Sequence, residues 1–175
     1  YGRDTINPYL KAQAVDMVIS PDAGFQKEAT LYAKELNLPV AVINKQRDPL
    51  TSQIKIYGIS GPPVKGLRVA IIDDETSSGK TLGESAEYLK GQGAERVYAI
   101  VTHLAGTAEK ALQSPFIDEV VVTNSLPVNA GGEANQKLKV LSVAAEIANS
   151  ARSMFAARSA PLSQSCPGSF IQESQ

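Results

Sequence analysis

Leu67-Arg68-Val69-Ala70-Ile71-Ile72-Asp73-Asp74-Glu75-Thr76-Ser77-Ser78-Gly79-Lys80-Thr81 is the stretch on which the fold of this chain turns. Its first six residues are the most strand-like in the sequence, rich in β-branched aliphatics. They run without a break into two aspartates. A polar loop of hydroxyls, glycine and lysine follows, and beyond it Leu82, Ala86 and Leu89 recur at the spacing of one helix face. Gly91 and Gly93 stop that helix. Strand, acidic edge, small-residue loop and helix are the parts of a βαβ unit.

The same alternation extends in both directions. Upstream, Met17-Val18-Ile19-Ser20 predicts a strand ended by Pro21. Across residues 25–36, Ala29, Tyr32, Ala33 and Leu36 fall at i, i+3, i+4, i+7, an amphipathic helix that Pro39 closes before the strand Val40-Ala41-Val42-Ile43. The polar run 44–49, with Lys45 and Arg47, reads as a loop, and Ile54, Ile56 and Ile59 as a protruding ribbon ahead of the turn Gly61-Pro62-Pro63. Downstream, strands are expected at 97–102, 119–123 and 140–143, a short helix over 107–112 and a loop over 129–135. An Ala-rich helix then runs to 157 with Val143, Ile147, Ala151 and Met154 on one side. The expected fold class is α/β, a mostly parallel sheet with helices on both faces, occupying residues 1–158. From 159 to 175 the Ser/Pro/Gln/Gly composition reads as a tail with little to bury.

Composition narrows the function. The 175 residues carry 17 Lys plus Arg against 18 Asp plus Glu, a net charge of −1, so no basic field offers itself to nucleic acid or an anionic membrane. A small-molecule partner is expected. Cys166 is the only cysteine and His103 the only histidine, which excludes an internal disulfide, a multi-cysteine or multi-histidine metal site, and fits a cytoplasmic setting. His103 itself reads as a hydrogen-bonded structural residue at a strand end. The longest apolar runs are about half of the ~20 residues a membrane span requires. The first residue is Tyr1 rather than Met, so a fragment of something longer is one expectation.

The loop after the acidic strand is placed for a ligand, because open α/β sheets bind ligands beyond the carboxyl ends of their strands. A helix N-terminus supplies unpaired amides and partial positive charge, Ser77, Ser78 and Thr81 add hydroxyls, and Gly79 lets backbone approach closely. Those are the parts of a phosphomonoester pocket. Asp73 and Asp74 would repel a phosphate, yet they can accept hydrogen bonds from vicinal hydroxyls beside it, directly or through Mg²⁺. Hydroxyls next to a phosphate describe ribose 5-phosphate. A nucleoside-triphosphate P-loop shares the ending Gly79-Lys80-Thr81 but needs glycine where Asp74 stands. The plainer alternative is a capped helix preceded by solvated acids.

The run Val69-Ala70-Ile71-Ile72-Asp73-Asp74 with its Ser/Gly/Thr loop is similar to the phosphoribosyl-binding motif of the type I phosphoribosyltransferase fold. Further segments resemble ribose-phosphate diphosphokinases in the same order: Met17-Val18-Ile19-Ser20-Pro21-Asp22-Ala23-Gly24, Asn44-Lys45-Gln46-Arg47, Arg96-Val97-Tyr98-Ala99-Ile100-Val101-Thr102-His103, Glu119-Val120-Val121-Val122-Thr123-Asn124-Ser125-Leu126-Pro127 and Lys139-Val140-Leu141-Ser142-Val143-Ala144. The resemblance implies transfer of a diphosphoryl group from ATP to C1 of ribose 5-phosphate with Mg²⁺. It implies that Asp73 and Asp74 hold the ribose hydroxyls, and Ser77, Ser78, Gly79, Lys80 and Thr81 the 5-phosphate. Asp22, Ala23 and Gly24 would form the diphosphate loop, with Asp22 toward the metal, and Lys45 and Arg47 would be the catalytic cations. No protein nucleophile is required, since such transfers run on positioning and electrostatics.

The same resemblance supplies expectations that cut the other way. Family members carry a second glycine where Phe25 stands and a basic residue at the place of Glu28, so a bulky side chain and an acid are expected to hinder an anion here. Aspartate is usual at the place of Ser77 and glycine at that of Lys80. The segment after His103 is shortened to Leu104-Ala105-Gly106. The family's enzymes have two similar halves and this chain matches the second. It is therefore expected to work as one half of an enzyme, in a homo-oligomer or paired with a homologous subunit. A non-catalytic regulatory subunit and a phosphoribosyltransferase are the alternatives.

Overall fold

A computed structural model describes residues 2–47, 54–128 and 136–158. The strands are β1 Met17–Ser20, β2 Val40–Arg47, β3 Ile54–Ser60, β4 Arg68–Thr76, β5 Arg96–Leu104, β6 Glu119–Thr123 and β7 Leu138–Leu141. They form one sheet in the order β3-β2-β1-β4-β5-β6-β7, parallel throughout except for the β2–β3 pair. The helices are α1 Arg3–Ala12, α2 Gln26–Leu36, α3 Lys80–Gly91, α4 Glu109–Gln113 and α5 Ala144–Arg158.

Period-2 alternation along the central strands divides the core into two layers. Met17, Ile19, Val69, Ile71, Val97, Ala99 and Val101 pack with Leu82, Ala86 and Leu89 of α3 and with Ala111 and Leu112 of α4. Val18, Ala70, Ile72, Tyr98 and Ile100 pack with Ile6 and Leu10 of α1 and with Ala29, Tyr32 and Ala33 of α2. Both sheet faces are thus covered, as a parallel sheet requires. Along β4 the burial runs from Val69 to Ile72 and then stops. Asp73 is half-buried, and Asp74 and Glu75 are exposed, although the ladder to β5 continues through Glu75↔His103 and Thr76↔Leu104. The strand therefore delivers its acids to the rim of the core.

One element was not foreseen from the sequence and another departs from its reading. The N-terminal segment is a helix, α1, despite Pro8 in its interior, which removes one amide from the helical ladder. Ile6 and Leu10 compensate. At 0% and 1% exposure, their burial contributes about 1.5–3 kcal/mol each. The polar run after Ile43 is strand rather than loop, because β2 continues to Arg47 by pairing antiparallel with β3. Register shifts between Asn44 and Lys45, where Asn44 opposes Gly58 and Lys45 opposes Ile56. The expected sharing of one side by Val143, Ile147, Ala151 and Met154 is seen, since all four line a groove of about 510 Å³ that Thr102, His103 and Ser125 also border. Among the described residues no helix is long and apolar enough to cross a membrane. The expected loop at 129–135 and tail at 159–175 lie outside the described residues.

Candidate functional site

The sheet order places a crevice between β1 and β4. From β1 the chain moves outward to β2 and β3, then returns to the other side of β1 as β4. This reversal is the topological switch point at which open α/β sheets take ligands. Asp22 follows β1 there, and Asp73 ends the buried part of β4.

The segment after β4 is held by its carbonyls. Thr76, Ser77 and Ser78 each offer a carbonyl oxygen to the next strand's exit segment, accepting from the amides of Ala105 at 2.9 Å, Ala108 at 2.9 Å and Lys110 at 2.8 Å. Gly106 makes that closeness available: a Cβ on it would lie 2.6 Å from Ser77 Oγ and 2.7 Å from the Ser77 carbonyl oxygen. Gly79, at φ +75°, caps α3, and a Cβ there would stand 2.5 Å from Ala111 Cβ. With the carbonyls occupied on one side, the exposed hydroxyls of Ser77 and Ser78 remain, together with first-turn amides of α3 that no helical carbonyl can reach. The Lys80 amide points to Ser78 Oγ at 3.4 Å, while its ammonium lies 3.7 Å from Glu84 on the surface. Thr81 is half-buried in the same turn.

Charge in the crevice is arranged unevenly. Burial pushes the Asp73 carboxyl up to about 7, and the neighbouring charges of Asp74 and Asp22 push the same way against one favourable hydrogen bond from the Asp74 amide. That bond is 3.0 Å to Oδ1, and Asp74 in turn accepts from the Glu75 amide at 2.8 Å. Asp22 is governed differently. Burial raises its carboxyl, but the Lys45 ammonium and the amides of Phe25 and Gly24 outweigh it and hold the group below its ordinary value. Lys45 Nζ is 2.9 Å from Asp22 Oδ2, and the Phe25 amide donates to Oδ1 at 3.1 Å. Ala23 and Gly24 are exposed beside it.

The crevice therefore brings together Asp22, Ala23, Gly24, Lys45, Asp73 and Asp74, with the segment 77–81 adjoining it. Arg47 ends β2, and its side chain lies outside the described part. Phe25 and Glu28, from which hindrance was expected, make contacts that no local pattern announces. The ring of Phe25 packs against the α1/α2 core layer. Glu28 is paired with Arg3 at 3.2 Å, and the same guanidinium reaches Glu35 at 2.9 Å. His103 fits its structural expectation, with Nδ1 2.8 Å from Ser125 Oγ. The residues that sequence alone did not single out are Arg3, Ala108 and Lys110, and Gly106 figures there only as part of a shortened segment. Gly106, directly after a strand end, was the one visible signal.

Comparison with known proteins agrees with this fold. Residues 62–163, more than half of the chain, match the family model described as phosphoribosyl synthetase-associated domain. The chain is 37% identical over 147 residues to a ribose-phosphate pyrophosphokinase of Chromobacterium violaceum, covering 82% of this chain and 44% of that protein. It is 38% identical over 139 residues to one of Pasteurella multocida, covering 78% and 44%. The chain thus spans less than half the length of these curated relatives. Among solved structures, a phosphoribosylpyrophosphate synthetase from Mycobacterium smegmatis superposes with a TM-score of 0.71 at 30% identity, over 89% of this chain and 51% of that one. A purine phosphoribosyltransferase from Pyrococcus horikoshii shares the fold at TM-score 0.50 and 20% identity, over 70% and 72%. With an acidic strand end, a tied-back hydroxyl loop and a match across more than half its length, this chain belongs to the phosphoribosyl synthetase-associated domain family.

Proposed function

We propose that the chain is the ribose 5-phosphate-holding part of a ribose-phosphate diphosphokinase, which moves a diphosphoryl group from ATP to the C1 hydroxyl of ribose 5-phosphate. The observation that carries this is the position of Asp73 and Asp74. They sit at the switch point, one loop ahead of a helix N-terminus whose preceding carbonyls are all turned into the protein. Carboxylates are acceptors only, which suits ribose hydroxyls, while the Ser77, Ser78 and Thr81 hydroxyls and the amides of Gly79 and Lys80 suit a 5-phosphate. The two sets adjoin, as the two ends of one sugar phosphate do.

Asp22, Ala23 and Gly24 are assigned to the diphosphate side, and Lys45 and Arg47 to charge developing on the transferring phosphoryl oxygens. Among the described residues no group of three or more His, Cys, Asp or Glu forms a metal cage. Mg²⁺ rarely uses one. It keeps several waters and takes one or two carboxylates together with substrate phosphates. A half-buried Asp73 with the charges of Asp74 and Asp22 beside it suits a site that is completed by a cation, and Asp22 is its protein ligand in this reading. When bound, Mg²⁺ would neutralise phosphate oxygens. The chain's own contribution is to orient the C1 hydroxyl and supply the cations of β2. A cytoplasmic setting, and assembly with further copies or a homologous subunit, belong to the same proposal.

Isothermal titration of the chain with ribose 5-phosphate is the test. Saturable binding that falls at least about tenfold with Ser78→Ala combined with Asp74→Asn is expected, the scale of losing two ligand hydrogen bonds of which one is charged. Absence of binding, or binding indifferent to both substitutions, sinks the assignment.

A further inference from the structure

The loop after β1 already holds an anion, and the anion is one of its own side chains. Two donors are seated on the Asp22 carboxylate, the Lys45 ammonium at 2.9 Å on Oδ2 and the Phe25 amide at 3.1 Å on Oδ1, and the neighbouring Gly24 amide also favours its charge. The peptide itself is fixed from behind by Ser20 Oγ, which donates to the Asp22 carbonyl at 2.7 Å. Lys45 is 15% exposed and Asp22 39%, so the cation is the more deeply seated partner and the carboxylate lies on the solvent side of it. An ammonium so covered is favoured by a counter-ion beside it. Neighbouring negative charge at Asp73 and Asp74 gives Asp22 no reason to lean toward β4.

The same donors are the ones an incoming diphosphate would use. A backbone amide beside an ammonium is the kind of contact for which a phosphoryl oxygen and a carboxylate oxygen compete. Both cannot be seated on the same donors at once, since the Phe25 amide has a single hydrogen that Asp22 Oδ1 already accepts and the Lys45 ammonium is already turned to Asp22 Oδ2. From this geometry we infer that Asp22 is a resident pseudo-ligand that occupies the diphosphate position of its own loop. An entering diphosphate must displace it, which turns the carboxylate outward and leaves it available to a cation. The exchange makes the anion and the cation arrive together: diphosphate frees Asp22, and a cation drawn to Asp22 frees Lys45. The inference rests on the diphosphate-side assignment made above.

Inorganic diphosphate, titrated without metal into the full chain at constant chloride, is the probe. Asp22→Asn keeps the shape and removes the charge, and it is expected to tighten diphosphate binding roughly tenfold, the scale of one charge-assisted contact no longer contested. Combining Asp22→Asn with Lys45→Met is expected to abolish the gain. In the unsubstituted chain, Mg²⁺ is expected to strengthen diphosphate binding more than it does in Asp22→Asn. Should Asp22→Asn fail to fold, the amide resonances of Gly24 and Phe25 in the unsubstituted chain serve instead, and both are expected to move together on diphosphate addition. Unchanged or weaker diphosphate binding in folded Asp22→Asn overturns the inference. So does diphosphate binding that leaves those two amides unmoved. Ribose 5-phosphate titration of the same samples reads the sugar site separately, so a failure here is distinguishable from a failure of the proposed function.

Discussion

Asp73 stands where a strand buried on both faces opens into a crevice that is already negative, and its carboxyl is pushed up to about 7 by burial first and by Asp74 and Asp22 after it. The sign of the consequence follows from linkage. A carboxyl whose folded value lies above its ordinary 3.8 favours the folded state most fully below that value. The contribution is lost progressively as pH climbs from about 4 toward 7. At pH 8 the ligand-free protein therefore carries an ionised group that its surroundings oppose. Asp73→Asn is expected to raise the melting temperature at pH 8 by about 2–4 °C, the shift that about 1 kcal/mol gives at this chain length. At pH 4 it should change little. Ligand affinity should move the other way, because ribose hydroxyls need the ionised acceptor. Ribose 5-phosphate binding should strengthen from pH 6 to pH 8, and Asp73→Asn should weaken it and remove the part of that rise belonging to this group. Calorimetric melting and titration at the two pH extremes read both effects, and a pH-independent stability difference would refute the electrostatic account.

At the scale of elements, the site is a loop clamped between the end of β4, the start of α3 and the segment entering α4. Gly79 is its tightest point, with left-handed backbone and an Ala111 methyl 2.5 Å from where a side chain would begin. Gly79→Ala must strain the backbone and displace α4 together. Urea unfolding should show a loss of about 2–4 kcal/mol, the sum of a disallowed φ and an overpacked contact, and a loss below 1 kcal/mol would mean that α4 yields freely. The central strands, α2, α3 and the acidic loop were readable from local periodicity, because hydrophobic spacing and Gly/Pro punctuation are local properties. α1 was not readable. Its two core residues, Ile6 and Leu10, make one short repeat, and Pro8 and Asn7 between them argue against a helix that its tertiary contacts with the sheet and α2 stabilise. The extension of β2 through Asn44, Lys45 and Gln46 was hidden for a related reason. Polar residues gain strand conformation there from backbone pairing with β3. Arg3 with Glu28, and Lys45 with Asp22, join residues 25 and 23 positions apart, so no spacing rule brings them together.

For the molecule as a whole, the distribution of paired charge sets what it can do unaided. Arg68 is clasped by Asp16 at the entry end of the sheet, 3.0 Å from Nε to Oδ2, and Arg96 opens β5 at that same end, away from the crevice. At the exit end, Lys45 is engaged by Asp22, Lys80 leans to Glu84, and Arg3 is shared by Glu28 and Glu35. None of these three cations is paired with the acids Asp73, Asp74 and Glu75 at that end. A sugar monophosphate can be held by hydroxyls and amides in such a field, but a nucleoside triphosphate brings more negative charge than this end can compensate. The chain by itself is therefore expected to bind ribose 5-phosphate and to take up ATP weakly even with Mg²⁺. ATP-dependent formation of 5-phosphoribosyl 1-diphosphate should appear only when polypeptide corresponding to the remaining length of the curated relatives is supplied. Parallel titrations with the sugar phosphate and with Mg-ATP, followed by a turnover assay with and without that polypeptide, decide the matter. Turnover by the chain alone would show that Lys45 leaves Asp22 readily enough to serve ATP, and that charge pairing does not limit this half of the fold.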